Sequence, residues 1–220
     1  EWRQLLPVHW QWPGIEALAG VSLMVAALGL LWLRRRIRER LGVLHEQIGR
    51  LRSDSQAHTP MAIGLNSLVA LPGPLVLGGL GIVLALIDTE LIAGLGKAIM
   101  QLALAWAFIA WARRLLVRDG VATKHFYWPS AYVARLRWLL GWLGLALVPV
   151  LLVGTLALEG EIVLTTRPVA MLLLFAGLVA MSLMLARLIL AHTPFFGIKL
   201  FRLILGLLMA AVPIVLLGLI

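Results

Sequence analysis

The sequence predicts an all-α integral membrane protein of about six transmembrane helices, joined by amphipathic segments at the membrane interface. Hydrophobic residues make up 62% of the chain and charged residues only 13%, whereas about a quarter of a soluble domain is charged. The apolar residues form runs of about 20 residues, which is the length that crosses a bilayer. Basic residues lie in short clusters between these runs, as the determinants of membrane topology do.

The first apolar run predicts a transmembrane helix over residues 14–33. Pro13 stands just ahead of it, and proline is favoured at the first position of a helix. Trp10 and Trp12 precede the proline, and tryptophan is enriched at both membrane–water interfaces. Residues 1–13 are therefore predicted to be an interfacial segment on the outer side.

Residues 34–60 form a basic amphipathic segment, predicted to be cytosolic. Its apolar residues Ile37, Leu41, Leu44, Ile48 and Leu51 follow a spacing of four and three, which covers too few heptads to predict a coiled coil. One alternative is a solvated continuation of the first helix. The other is a helix on the inner leaflet whose arginines meet anionic lipid; these arginines are Arg34, Arg35, Arg36 and Arg38.

The apolar stretch that follows is too long for one span, and Asp88 and Glu90 divide it. We expect a second span over residues 61–87 and a third over residues 91–112. Pro72 and Pro74 are candidate kink residues because a proline removes a backbone donor and clashes with the preceding turn. They either bend the second span or delay its start.

A second basic segment, over residues 113–137, contains aromatic residues suited to the headgroup region. With the start of the next span, its candidate lipid-interface residues are Arg113, Arg114, Phe126, Tyr127, Trp128, Arg135, Arg137 and Trp138. The remaining chain predicts a fourth span over residues 138–158, an outer loop over 159–168, a fifth span over 169–190, a cytosolic turn over 191–197 and a sixth span over 198–220. Pro149 and Pro213 are further kink candidates.

The positions of the basic residues test this arrangement. All but three of the 19 lysines and arginines fall on one side of the predicted membrane, the exceptions being Arg3, Lys97 and Arg167. Cytoplasmic loops carry an excess of Lys and Arg. The pattern therefore predicts an N-terminus on the outer side, and we expect the segment to belong to a longer protein.

The sequence offers no constellation for catalysis, a cofactor or a metal. There is no cysteine, and the five histidines do not have metal-ligand spacing. Pumps and transporters usually carry ionisable groups within the membrane, and midplane polar residues are missing from the predicted spans. The open alternatives are a fragment of a secondary transporter or lipid flippase, or a membrane anchor module. Nucleic-acid binding is disfavoured because the basic residues do not form one soluble surface.

The stretch HFYWPSAYVARLRWLLGWLGLALVPVLLVG resembles the membrane part of the large mechanosensitive channels of the MscS superfamily, of the MscK and MscM type. The residues that carry the resemblance are Phe126, Trp128, Pro129, Arg135, Arg137 and Pro149. It implies a homo-oligomer, a heptamer in this superfamily, that opens under tension in the bacterial inner membrane. Membrane lipids, anionic at the cytosolic face, are the expected partners.

The resemblance also implies which part of such a channel this segment is. The pore helix of the superfamily is rich in alternating Gly and Ala, and no run in this sequence has that pattern. The segment is therefore predicted to be the lipid-facing, tension-sensing N-terminal transmembrane region without the pore helix. No pore or gate residue can be carried over to it.

Overall fold

The structure, a computed structural model, describes residues 13–47, 58–117, 121–124, 128–162 and 167–191, and its regular elements there are helices. They are α1 (Pro13–Gln47), α2 (His58–Ala70), α3 (Pro72–Ala85), α4 (Glu90–Leu115), α5 (Val121–Lys124), α6 (Ser130–Leu158) and α7 (Pro168–Leu190). Residues 1–12 of the predicted outer segment, residues 192–197 of the predicted cytosolic turn and the predicted sixth span over 198–220, with Pro213, lie outside the described residues.

Four of these helices are long and apolar enough to cross a membrane: α1, α4, α6 and α7. The pair α2–α3 makes a fifth candidate if the two bent helices are one span. The all-α membrane class predicted from the sequence is therefore confirmed for the part that the structure describes. A total of six spans and the outer position of the N-terminus stay predictions.

The first helix is longer than a bilayer requires. Helix α1 runs without a break over 35 residues, about 52 Å at 1.5 Å per residue, while the hydrocarbon core is about 30 Å thick. The basic segment after residue 33 thus continues the same helix as far as Gln47. Its apolar stripe has a protein partner, because Ile37 and Leu41 pack against Ala62 and Val69 of α2.

The second predicted span is divided at Leu71. Helices α2 and α3 meet there at an angle of 46°, and Pro72 and Pro74 occupy the start of α3. Neither proline has a backbone N–H, and a proline is tolerated in the first turn because donors there have no intrahelical acceptor. The sequence thus disfavours a continuous helix through this point and favours a new helix start.

The long helices form a row in which the main contacts join α1 to α3, α3 to α4, α4 to α6 and α6 to α7. Neighbours along the row run antiparallel. On α3 and α4, for example, Gly73 lies near Trp106 at one end and Gly81 near Gly96 toward the other. Short α2 crosses one end of the row, where Trp111 of α4 donates a hydrogen bond of 2.9 Å to the Ser67 hydroxyl.

Glycines let the helices of the row approach closely. A Cβ atom at Gly96 of α4 would lie 2.7 Å from the Gly81 carbonyl oxygen of α3, and one at Gly79 would lie 2.7 Å from the Gly20 carbonyl oxygen of α1. In lipid the hydrophobic effect does not drive helices to associate, so close packing at small residues provides much of the attraction between them. The contacts α1–α3 and α3–α4 therefore depend on these glycines.

Replacing Gly96 with alanine is expected to destabilise the α3–α4 contact. The added methyl group has no free volume, and overpacking a close contact costs about 1–3 kcal/mol. We expect Gly96→Ala to lower the thermal stability of the detergent-purified full-length protein. The matched control is Gly154→Ala in α6, where a Cβ meets nothing within 4 Å; equal behaviour of the two variants would contradict the role given to Gly96.

Candidate lipid interface

Most charged residues of the described segments separate by sign to opposite ends of the helix row, the exceptions being Glu39 at one end and Lys97 and Arg167 at the other. One end, called the basic end below, contains Arg34, Arg35, Arg36, Arg38, Arg40, Arg113, Arg114, Arg135, Arg137 and Arg187. The other, the acidic end, contains Glu16, Asp88, Glu90, Glu159 and Glu161. The antiparallel order fixes this, because Gly94 of α4 faces Glu161 whereas Arg113 of α4 faces Gly141 of α6.

The predicted interface residues that the structure describes fall into two groups, according to whether they line a cavity. Arg34, Arg38, Arg113, Arg114 and Arg137 converge around two adjoining cavities. Four others lie at the same end and are exposed, as Arg38 and Arg137 also are, but they line neither of these cavities: Arg35, Arg36, Arg135 and Trp138. Trp10, Trp12, Phe126 and Tyr127 lie outside the described residues.

The larger cavity, the first cavity below, has a volume of about 680 Å³ and lies between α1, α4 and α6. Arginines from all three helices line it: Arg38, Arg113, Arg114 and Arg137. The rest of its wall is apolar and includes Trp106, Ile109, Gly144 and Leu145. The cavity thus has a charged end and an apolar end.

The second cavity, of about 560 Å³, adjoins the first. Arg34 of α1 and Arg114 of α4 line it, and Trp106, Ala110 and Arg114 belong to the walls of both cavities. Its remaining wall includes Pro72 and Pro74. The bend between α2 and α3 therefore lies in the wall of the same cavity as Arg34 and Arg114.

The arginines around the cavities lie near one another without acidic partners among the described residues. Arg114 is within electrostatic range of Arg38, Arg34 and Arg137, and no carboxylate from the described segments lines either cavity. Like charges repel, and the repulsion is stronger in a partly buried site than in bulk water. The cluster is therefore electrostatically unfavourable unless anions neutralise it.

Two of these guanidinium groups also have an unused donor. The Nε atoms of Arg34 and Arg113 are buried and have no hydrogen-bond acceptor among the described residues. Buried donors in proteins are nearly always paired with protein or water. The Arg113 guanidinium lies beside Gly141, where a Cβ would be 3.4 Å from its Cζ, so the lack of a side chain at 141 leaves it room.

The exposed group of the basic end has the features of interfacial anchors. The Arg36 guanidinium lies 5.5 Å from the centre of the Trp32 ring, and Arg35 pairs with Glu39 at 3.1 Å. The rings of Trp138 and Trp142 on α6 lie 5.9 Å apart and are tilted by 61°. Aromatic rings beside arginines are typical of the headgroup level of a membrane.

Part of the predicted basic aromatic loop is helical. Helix α4 extends to Leu115 and α6 begins at Ser130, so Arg135, Arg137 and Trp138 lie in one continuous helix. Trp128 packs beside the apolar cluster of Leu116, Ala122 and Val133, and its ring lies 5.5 Å from that of Tyr132. This packing holds α5 against the start of α6.

Two polar links between α4 and α6 were missed by the sequence reasoning. The Thr155 hydroxyl donates a hydrogen bond of 2.9 Å to the Gln101 side-chain oxygen, and Lys97 pairs with Glu159 at the acidic end. The expectation that the spans lack midplane polar residues was wrong for Gln101, which lies at the middle of α4. Gln101 and Thr155 each interrupt an apolar run, which was the available signal, but sequence alone does not reveal their pairing.

Pro149, the remaining described kink candidate, lies inside α6, which the structure describes as one helix from Ser130 to Leu158. It contacts the neighbouring helix at a glycine: a Cβ at Gly177 of α7 would lie 2.9 Å from the Pro149 Cγ. The proline ring therefore contributes to the α6–α7 interface.

Comparison with known proteins decides the family. Residues 17–220 match the family described as "Mechanosensitive ion channel inner membrane domain 1". The chain belongs to this family. The predicted MscS-superfamily membership and the predicted inner-membrane location are confirmed by this match, and the family is one of ion channels, not of enzymes.

A named relative agrees with the family. The chain is 30% identical over 149 residues to the mechanosensitive channel MscK of Escherichia coli strain K12. That alignment covers 66% of this chain and 13% of the relative, so the chain spans a small part of the length of this curated relative. No solved structure matches the chain.

The Gln101–Thr155 hydrogen bond should couple α4 to α6 measurably. Hydrogen bonds between membrane helices contribute about 0.6 kcal/mol on average. We expect the variants Gln101→Leu and Thr155→Val and their combination to show a coupling free energy of about that size, measured by SDS-induced unfolding in mixed micelles. Ser182→Ala, which removes a bond within α7, combined with Gln101→Leu is the control pair and should show no coupling.

Proposed function

We propose that this segment is the lipid-facing, tension-sensing transmembrane region of a homo-oligomeric, heptameric mechanosensitive channel, and that the pore helix lies elsewhere in the protein. Family membership supports the channel as a whole. The single-row arrangement of the helices supports the sensing role, because a row exposes apolar side chains along most of its length. Examples are Leu28 on α1, Leu104 and Phe108 on α4, Leu145 on α6 and Leu172 on α7, all exposed.

Membrane tension favours the conformation that occupies the larger area in the plane of the bilayer. Tension can shift the equilibrium between the closed and open conformations only as far as it changes the free-energy difference between them. Because the main contacts of the long helices follow the row, their spacing or tilt can change without disrupting a central core. We propose that the α2–α3 bend at Pro72 and Pro74, and Pro149 in α6, are places where such changes occur.

We propose that the N-terminus lies outside and that the basic end of the row faces the cytosol, with anionic lipid headgroups next to it. The excess of arginine at one end and of carboxylates at the other supports this orientation. An exchange of the two sides would place nearly all of the basic residues outside.

Cysteine accessibility tests the orientation, since the segment has no cysteine of its own. We expect Glu159→Cys in the full-length protein, with any other cysteines removed, to react with a membrane-impermeant maleimide in cells whose outer membrane is permeabilised. The Arg36→Cys variant should react only after the inner membrane is opened. The reverse pattern would contradict the proposed orientation.

Patch-clamp recording of the full-length protein under graded suction tests the sensing role. We expect the Leu104→Asn/Phe108→Asn variant to require higher tension for opening. Polar side chains at lipid-facing positions of α4 weaken the interaction of this helix with the lipid chains that transmit the tension. The matched control Leu104→Ile/Phe108→Leu keeps the apolar surface and should open at the tension of the wild type.

Two results would contradict this proposal. One is a wild-type protein that is present in the patch but carries no current or a current independent of suction. The other is an Asn variant that reaches the membrane in normal amounts and opens at the same tension as the wild type. Either result would remove the sensing role from this segment.

A further inference from the structure

Five arginines converge at the basic end, and a role in sensing tension does not by itself require their convergence. We propose that the first cavity is a discrete binding site for an anionic phospholipid, whose phosphate group is bound by Arg38, Arg113 and Arg137. The inference rests on the proposed function in one respect, that the basic end lies at the level of the lipid headgroups. It adds a specific site, a ligand class and the residues that bind it.

The ligand must be an anion with several acceptor atoms. Arg113 has a buried Nε with no acceptor among the described residues, and Arg38, Arg114 and Arg137 line the same space. A phosphate group offers oxygens that match the fork of a guanidinium, and its charge offsets the repulsion between the arginines. One phosphate in the first cavity would therefore offer acceptors to the unpaired donor and offset part of the positive charge.

None of the carboxylates whose side chains the structure describes fills this role. Glu39 of α1 pairs with Arg35 on the exposed side of the helix. The carboxylates of the acidic end are too distant, since Glu90 and Arg113 are separated by about 34 Å along α4. The anion is therefore expected to come from outside these segments.

The shape of the cavity favours a phospholipid over a soluble phosphate. Beyond the arginines its wall is apolar, and it includes Trp106, Ile109 and Leu145. Trp106 lies seven residues from Arg113 on α4, about 10 Å toward the bilayer centre. A free phosphate would leave this apolar wall empty, whereas the glycerol region and upper acyl chains of a lipid would fill it. Basic pockets between transmembrane helices are known sites for anionic headgroups.

Such a lipid would connect helices that are not neighbours in the row. Arg38 belongs to α1 and Arg137 to α6, and α3 and α4 stand between these two helices. A phosphate that bonds to both arginines joins the first helix of the segment to the fourth of the row. The bound lipid thus becomes a structural component of the basic end.

The test uses the full-length oligomer, purified in a neutral detergent and examined by native mass spectrometry. Dioleoyl phosphatidylglycerol is the anionic probe and dioleoyl phosphatidylcholine the probe without net charge. We expect the wild type to bind phosphatidylglycerol more tightly. Arg113→Gln/Arg137→Gln should weaken that binding about tenfold or more, because the loss of one hydrogen bond to a charged group already lowers affinity by about tenfold. The control Arg35→Gln/Arg135→Gln removes the same charge from positions that line neither cavity and should stay within about twofold of the wild type.

A charge-neutral variant keeps the test decisive if the arginine double variant fails to assemble. Gly141→Leu places a side chain beside the Arg113 guanidinium without changing any charge. We expect it to reduce phosphatidylglycerol binding while the oligomer remains intact by size-exclusion chromatography. Unchanged binding in an intact Gly141→Leu oligomer would overturn the proposed site.

Other outcomes are equally clear. Equal losses in the two arginine double variants would show a diffuse charge effect and overturn the proposal. Inorganic phosphate or pyrophosphate that displaces phosphatidylglycerol at micromolar concentration would identify a soluble anion as the ligand and overturn the lipid assignment. A wild type that gates normally under tension but binds phosphatidylglycerol no more tightly than phosphatidylcholine would refute this inference alone. A wild type that shows this lipid selectivity but does not gate under tension would refute the proposed function alone.

Discussion

The close contact of α3 with α4 at Gly81 and Gly96 is the constraint on which the rest of the structure depends. In lipid the hydrophobic effect does not drive helices together, so association depends on how closely two backbones approach. Helix α4 is held to α3 by this contact, to α6 through Gln101 and Thr155, and to α2 through Trp111. Removing α4 from its place would separate the row into two parts.

The position of α4 also determines where the charges meet. Arg113 and Arg114 end this helix, and its neighbours bring Arg38 from α1 and Arg137 from α6 to the same cavity. Meanwhile Glu90 begins α4, and Lys97 pairs with Glu159 of α6 at that end. Neighbouring helices run antiparallel, so arginines near the end of one helix and the start of the next lie at the same end of the row. The row therefore has one basic end and one acidic end. That separation is the physical basis of both the proposed orientation and the proposed lipid site.

The helices of the segment are individually stable, but few interactions fix their positions relative to one another. Many large apolar side chains of the spans are exposed, and the main contacts of the long helices follow the row, so the arrangement has little central core. Backbone hydrogen bonds within each helix are satisfied in lipid whatever the neighbours do. The helices are thus individually stable while their mutual positions rest on a few glycine contacts and polar links. These are suitable properties for a region that changes shape with the bilayer.

The sequence by itself determined the helices, the separation of basic from acidic segments and the family. These depend on local properties: apolar runs of bilayer length, Pro72 and Pro74 at a helix start, and the motif from Phe126 to Pro149. The tertiary structure decided which of the predicted interface arginines converge. Arg35 and Arg38 are three residues apart on one helix, yet only Arg38 lines the cavity, because the rotation of α1 about its axis is set by packing against α2 and α3. Gln101 and Thr155 are 54 residues apart, and only the antiparallel pairing of α4 with α6 brings them into contact.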